Sequence, residues 1–191
     1  MRFHPKLRPY LGYKFLNALF SGLSLSTIFI IYAPLEPIIY SIGGILLALG
    51  MWGVAHLYPR ILNALYYVRI LFWVEIVPLG MIALFLLFPE RYPTALLIYA
   101  LYQLIFLFGS FLVRAETMIF RHKSVITLLD TTKQKGYLVG LSLSALFYFL
   151  CEQAGITAKI EQVYWLHFLL ALNQLALLER LYQSVKGRSI W

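Results

Sequence analysis

Continuous apolar runs, separated by short polar links, divide the sequence into six segments. Residues within a run do not alternate between apolar and polar, so the strands of a membrane β-barrel are a poor match. A helix needs about 20 apolar residues to cross a bilayer, and the pattern therefore predicts an all-α integral membrane protein with six transmembrane helices in one domain, residues 1–191. The predicted helices cover residues 13–32, 38–56, 62–88, 94–113, 136–151 and 163–182, and the fourth has room to continue to Phe120.

Proline residues mark the short links between the predicted helices. Pro34 and Pro37 enclose the first link, and residues 89–93 form a tight third link. Because a proline biases the preceding residue away from the helical conformation, these positions indicate helix ends. The fourth link differs from the others. We expect a long connection over about residues 114–135, which carries most of the polar residues of the chain.

The basic residues are distributed unequally between the two predicted sides of the membrane. All of the 16 Lys and Arg residues except Arg91 and Lys159 fall on the side of the two termini and of the second and fourth links. Short loops that are rich in Lys and Arg stay in the cytoplasm. This asymmetry predicts that both the N and C termini are cytoplasmic, in a multi-pass protein of the bacterial inner (plasma) membrane.

Composition supports a membrane protein and weakens other classes. The chain is 61% hydrophobic and only 13% charged, against about 25% charged in a soluble domain. Its net charge of +8 lies in short loops rather than on one helix face, which indicates the lipid bilayer and not nucleic acid as the partner. The single cysteine, Cys151, excludes an internal disulfide and a cysteine-based metal site.

Glu75 is the leading candidate for a functional residue because it lies near the middle of the third predicted helix. A charge there costs about 2.5–3.5 kcal/mol on insertion scales. It is either a proton or cation site on a transport pathway or a hydrogen-bonded carboxyl that joins helices, with Gln103 as a candidate partner. Arg69 lies six residues earlier, which is not a same-face spacing, so we expect it to serve the pathway from the cytoplasmic side without pairing directly.

Arg114 and Glu116 form a second charged candidate at the end of the fourth predicted helix. If that helix continues to Phe120, both residues lie one to two turns inside it and could form a gate with Arg69 or Glu75. The alternative is an interfacial pair whose charged ends reach the aqueous phase.

A polar stripe runs along the first predicted helix, where Asn17, Ser21 and Ser24 share one face at four- and three-residue steps. Such a stripe lines a water-filled path or makes hydrogen bonds between packed helices, and the sequence favours neither. Further polar pathway candidates lie in the fourth and sixth predicted helices; they are Gln103, Asn173 and Gln174.

Small residues at four-residue steps predict where helices approach closely. One set, Gly136, Gly140 and Ser144, opens the fifth predicted helix, and Gly44 with Ala48 lies in the second. Aromatic residues, in contrast, collect near helix ends, where we expect them to anchor the protein at the membrane interface. They are Tyr10, Tyr13, Tyr66, Tyr67, Tyr92, Tyr164 and Trp165.

The sequence contains no pattern typical of a cofactor site or of a soluble enzyme. No two histidines lie at matching depth for a haem, and there is no glycine-rich phosphate loop, zinc-protease motif or Ser-His-Asp order. We therefore expect no cofactor, no metal, no catalytic residue and no enzymatic activity. An enzyme that acts on a lipid or a quinone is the form of catalysis that remains open.

Four local features of the sequence belong together: residues 20–24 in the first predicted helix, Tyr58-Pro59-Arg60 after the second, Leu128-Leu129-Asp130, and the glycine steps at Gly136 and Gly140. They resemble the N-terminal half of a major facilitator superfamily transporter. The resemblance implies a six-helix bundle that is half of the family's fold. It also implies a homodimer about an axis normal to the membrane, with predicted helices two and five, which carry the small residues, at the interface.

The function expected from these observations is transport of an unknown small solute by alternating access. In this interpretation the chain is a half-size transporter, similar to the major facilitator superfamily, that works as a homodimer. The alternative is a non-transporting membrane subunit or an assembly factor of a larger membrane complex. A transporter requires the polar stripe of the first helix to be wet, whereas a subunit has it sealed by a partner.

Overall fold

The computed structural model describes residues 5–187, and within that range it contains helices and no strand. The expectation of an all-α protein is thereby confirmed. The helices are α1 (Leu7–Ile31), α2 (Pro37–Ile61), α3 (Ala64–Leu87), α4 (Tyr92–Leu107), α5 (Gly109–Ile119), α6 (Lys123–Gln153) and α7 (Lys159–Val185).

Four helical stretches are long and apolar enough to cross a membrane. They are Leu7–Ile31, Pro37–Ile61, Ala64–Leu87 and Tyr92–Ile119. The last of these joins α4 and α5, which are separated by Phe108 alone. Helices α6 and α7 have 31 and 27 residues and so also exceed the thickness of a bilayer core, about 30 Å, at about 1.5 Å per residue. Their polar residues distinguish them from the other four.

The fourth link is the main correction to the predicted organisation. The expected long connection over residues 114–135 is wrong, because α5 continues to Ile119 and α6 begins at Lys123. Residues 123–135 contain no proline or glycine, and the Thr127 and Thr131 hydroxyls donate to carbonyls of the same helix. A run of apolar residues indicates the part of a helix that lipid would cover. It does not show whether the helix continues beyond that run with polar residues.

Helix α1 lies between α6 and α7 and packs against both. Gly136 and Gly140 of α6 meet the backbone carbonyls of Phe15 and Leu19 on α1, and a β-carbon at either glycine would overlap these carbonyls. One turn further on, the Ser144 hydroxyl of α6 is hydrogen-bonded to the Ser26 hydroxyl of α1 at 3.2 Å. The predicted close approach therefore occurs, but within one chain, so these three residues do not form a surface for a second copy.

The remaining helices complete the bundle around α3. Helix α3 packs against α4, α5 and α7, whereas α2 lies outside and contacts α4 and α5. Gly43 is the one buried residue of α2 and lies against the Tyr99 ring of α4. The predicted small pair, Gly44 and Ala48, is exposed on the outer surface, with no atom within 4 Å of a β-carbon built at Gly44.

The two ends of the described chain lie together. The backbone N–H of Lys6, just before α1, donates to the carbonyl of Ser184 in the last turn of α7 at 2.8 Å. Residues near the N-terminus and the C-terminus therefore occupy the same end of the bundle, which we call the terminal end.

Candidate functional site

The Glu75 carboxyl lies where α1, α3 and α7 meet, and only 4% of the residue is exposed. Its Oε1 accepts hydrogen bonds from the Tyr13 hydroxyl at 2.8 Å and the Asn17 amide at 2.9 Å, both on α1. From α7, the Gln174 amide donates to the Glu75 backbone carbonyl at 2.6 Å and reaches Oε2 at 3.3 Å. Glu75 is therefore bonded to Tyr13, Asn17 and Gln174 rather than to Gln103, the partner expected from the sequence.

No basic side chain within residues 5–187 forms an ion pair with Glu75. All three groups that donate to it are neutral, and a buried charge that lacks an opposite charge is costly even when it is hydrogen-bonded. A proton on the carboxyl, or a cation beside it, would remove this cost.

Beside Glu75 lies a cavity of about 210 Å³ between α1, α3, α4 and α7. This volume is below the range of about 300–1,000 Å³ that is typical of pockets for drug-sized ligands, so it suits a small solute. Most of its wall is apolar, and its polar positions lie mainly on α1 and α7. The polar lining residues are Asn17, Ser21, Ser24, Thr27, Tyr32, Glu75, Tyr102, His167 and Gln174.

Two lining residues present polar atoms that lack a hydrogen-bond partner in the described part of the chain. They are the Gln174 Oε1, on a residue that is 1% exposed, and the Tyr32 hydroxyl. Gln103 Oε1 is also unpartnered, but Gln103 does not line the cavity. An unpartnered buried acceptor costs stability, and a donor group that reached the Gln174 oxygen would remove that cost.

The polar stripe predicted on the first helix faces this cavity. Asn17, Ser21 and Ser24 all line it, and the two serine hydroxyls donate to carbonyls of their own helix at 3.1 and 3.4 Å. Asn173, in contrast, uses its amide to bond the Leu16 carbonyl of α1 at 3.0 Å. Gln174 thus belongs to the cavity, whereas its neighbour Asn173 joins α7 to α1.

A second polar cluster lies nearer the terminal end. The Lys14 ammonium forms an ion pair with Glu116 Oε1 at 2.7 Å, joining α1 to α5. The Tyr10 hydroxyl is hydrogen-bonded to Glu116 and to the Tyr67 hydroxyl of α3. Glu116 is therefore part of an interhelical contact.

Arg69 and Arg114 lie apart from both clusters. Both side chains are exposed, and Arg114 places its guanidinium 5.7 Å from the centre of the Tyr58 ring. Neither residue lines the cavity. In the described chain, Arg114 and Glu116 do not join Arg69 or Glu75 in an ion pair, so the expected gate is not formed from these groups.

Three tyrosines predicted to lie at the membrane interface are instead buried between helices. Tyr10, Tyr13 and Tyr67 are at most 2% exposed, so the prediction that they anchor the protein at the membrane interface is wrong. Tyr13 lies four residues before Asn17 and therefore on the polar stripe, a signal that was present in the sequence. The Tyr10–Tyr67 contact joins residues 57 positions apart, and no spacing rule reveals it.

Comparisons of the chain with known protein families, with characterised proteins and with solved structures gave no match.

Proposed function

We propose that this chain is a multi-pass protein of the bacterial inner membrane that carries a small solute through the cavity beside Glu75. The observation that carries the proposal is a buried carboxyl that forms no ion pair with a basic side chain of residues 5–187, next to a cavity that four helices line. Carboxyl groups inside membrane bundles commonly mark ion and substrate pathways. Six spans with both termini in the cytoplasm are part of the proposal, supported by the contact between Lys6 and Ser184.

In this mechanism Glu75 exchanges a proton or a cation with the solute, and the bundle opens alternately to each side. Pro78 lines the cavity one turn after Val74 and has no N–H to bond that residue's carbonyl, which makes α3 easier to bend there. The ion pair of Lys14 with Glu116 joins α1 to α5 near the terminal end and would have to break when that end opens.

A homodimer that is similar to a whole major facilitator transporter remains part of the proposal. Gly136 and Gly140 pack against α1 of the same chain. A second copy of the chain would therefore bind at the outer surface of α2. Gly44 and Ala48 are exposed there, and two small residues four positions apart allow another helix to approach closely.

A non-transporting subunit or assembly factor is the second candidate. It is favoured by the hydrogen bonds to Glu75, because Tyr13, Asn17 and Gln174 together account for the carboxyl as a junction between three helices. In that case the cavity is sealed and Glu75 never meets water.

Access of water to the cavity separates the two candidates. In a Cys151→Ser background, Ser24→Cys and Thr27→Cys place thiols on the cavity wall. A cysteine thiolate attacks a charged thiol reagent, and the thiolate forms in water and not in lipid. Ile76→Cys is the matched control, because Ile76 follows Glu75 directly and is 53% exposed on the outside of the bundle.

The transport proposal predicts that Ser24→Cys and Thr27→Cys react when the reagent is added to either face of the membrane, whereas Ile76→Cys does not react. If neither cavity position reacts from either face, transport is excluded. Purification in mild detergent, with mass measurement of the intact particle, would then identify the larger complex that the subunit interpretation requires.

A further inference from the structure

We infer that the cavity binds a small, unbranched primary amine as its ammonium ion, with the charge beside Glu75 and the hydrocarbon chain against the apolar wall. The inference names the solute class for the proposed transport and in that respect rests on it. The binding site itself is argued from the charge, the acceptors and the shape of the cavity.

The charge argument begins with the missing basic partner of Glu75. The carboxyl is buried, three neutral groups donate to it, and no Lys, Arg or His in the described range is paired with it. A cationic ligand supplies an opposite charge and gains a charge-assisted hydrogen bond to this buried carboxyl. An anionic ligand would face repulsion from the same carboxylate.

The acceptors fit an ammonium group with several N–H donors. Glu75 Oε2 accepts one long bond of 3.3 Å, from Gln174, and the Oε1 of that same Gln174 has no partner. A primary ammonium carries three donors and no acceptor, so it can bond both oxygens at once. A tertiary ammonium has a single N–H and can satisfy one of them.

The rest of the cavity favours an organic cation over a metal ion. Within the described residues there is no group of three or more His, Cys, Asp or Glu side chains that could hold a metal. Most of the lining is apolar and includes Phe20, Ile82 and Leu170. Such a surface gains free energy by covering hydrocarbon and gains none from a hydrated ion.

The shape of the cavity favours an unbranched chain. Asn17 on α1 and Tyr32, which follows α1 directly, both line it and are 15 residues apart, which corresponds to about 22 Å along the helix axis. The lining residues extend over this length, so the cavity is elongated. A linear alkyl chain fits such a space better than a compact, branched one.

Three small probes of similar size test the inference on the purified chain in detergent. n-Hexylamine has the charge, the three N–H donors and the linear chain, whereas 1-hexanol lacks the charge. Triethylamine is an isomer of hexylamine with the same charge, but it is compact and has one N–H donor. Binding is measured by calorimetry and by the ligand-dependent rise of the thermal unfolding midpoint.

We expect hexylamine to bind at least tenfold more tightly than either of the other probes. Glu75→Gln should weaken hexylamine binding at least tenfold, whereas Glu36→Gln, the same change at an exposed position outside the cavity, should leave it unchanged. Ser21→Leu provides a second variant, because Ser21 lines the cavity from an exposed position and a larger side chain there blocks the space without disturbing the core. It should abolish hexylamine binding.

Equal binding of hexylamine and hexanol, no binding of hexylamine, or unchanged binding in Ser21→Leu would each overturn the inference. Its failure can be distinguished from failure of the transport proposal through the Ser24→Cys accessibility assay. If Ser24→Cys reacts from both faces and hexylamine does not protect it, the amine site is wrong and transport stands. If hexylamine binds through Glu75 while Ser24→Cys reacts from one face only, the amine site stands and alternating access is wrong.

Discussion

Gln174 of α7 holds both the backbone and the side chain of Glu75 on α3. Its amide donates to the Glu75 carbonyl at 2.6 Å and to Oε2 at 3.3 Å, across 99 residues of sequence. One amide group thereby joins α7 to both the backbone and the carboxyl of Glu75. The same residue leaves its Oε1 unpartnered at the cavity, so a single side chain serves both the fold and the candidate site.

Gln174→Leu should therefore lower the stability of the bundle. The substitution preserves most of the side-chain volume but leaves the Glu75 carbonyl and carboxyl without this donor. Hydrogen bonds between membrane helices are worth about 0.6–2 kcal/mol, and we expect a loss in that range, measured by unfolding in detergent. Gln134→Leu, at an exposed position of α6, is the control and should change stability little. Equal midpoints for the two variants would contradict the assigned role of Gln174.

The ion pair between Lys14 and Glu116 gives a second prediction. Their side chains are 16% and 17% exposed, so the pair is mostly shielded from solvent. In a double-mutant cycle with Lys14→Met and Glu116→Gln, we expect a coupling energy of about 0.5–3 kcal/mol, as for residues in direct contact. Lys14→Met combined with Glu36→Gln, whose carboxyl lies beyond the other end of α1, should be additive. A coupling energy near zero for the first pair would show that the contact does not stabilise the bundle.

The sequence carries strong information on where helices lie and weaker information on which residues meet. Apolar runs predicted the helical class, because covering an apolar face is a property of each segment by itself. They failed over residues 114–135, where α5 and the polar first part of α6 are helical without being apolar. A polar helix and a polar loop have similar composition, and only the backbone hydrogen bonds distinguish them.

Part of the candidate site could be predicted from single helices, and part could not. Glu75 and the stripe of Asn17, Ser21 and Ser24 stand out because polar groups in an apolar helix are costly, and all four line the cavity. The partners of Glu75 depend on how α1 and α7 pack against α3, which spacing within one helix does not determine. Tyr13 was accordingly assigned to the membrane interface, although it donates to Glu75.

Membrane orientation can be tested with single cysteines in a Cys151→Ser background. The asymmetry of basic residues predicts that Glu36→Cys, Glu90→Cys and Gly155→Cys react with an impermeant thiol reagent added to intact cells. Arg60→Cys and Lys123→Cys should react only after the membrane is opened. Lys123 is the first residue of α6 and lies about three and a half turns before Gly136. It therefore reports on the connection whose position was predicted wrongly from the sequence. Labelling of Lys123→Cys from outside would contradict six spans with cytoplasmic termini.

The last prediction compares a glycine that packs against another helix with a glycine that is exposed. From the sequence alone, the two cannot be distinguished. Gly140 meets the Leu19 carbonyl of α1, whereas a β-carbon at Gly44 meets nothing within 4 Å. Gly140→Ala should therefore force α1 and α6 apart and cost about 1–3 kcal/mol of stability, the usual range for overpacking. Gly44→Ala is the matched control, and it should be neutral or slightly stabilising because alanine is the better helix former by about 1 kcal/mol.

The same two positions test where a second copy would bind. If the exposed surface of α2 forms the dimer, Gly44→Leu should shift the particle towards the monomer mass in mild detergent, because the added side chain obstructs another helix. The unfolding midpoint should not fall, because Gly44 is exposed and no other helix lies within 4 Å of a β-carbon there. Gly140→Ala should lower the midpoint, since its contact lies inside the bundle. An unchanged dimer mass in Gly44→Leu would exclude this surface of α2, and an unchanged midpoint in Gly140→Ala would contradict the close approach of α1 and α6.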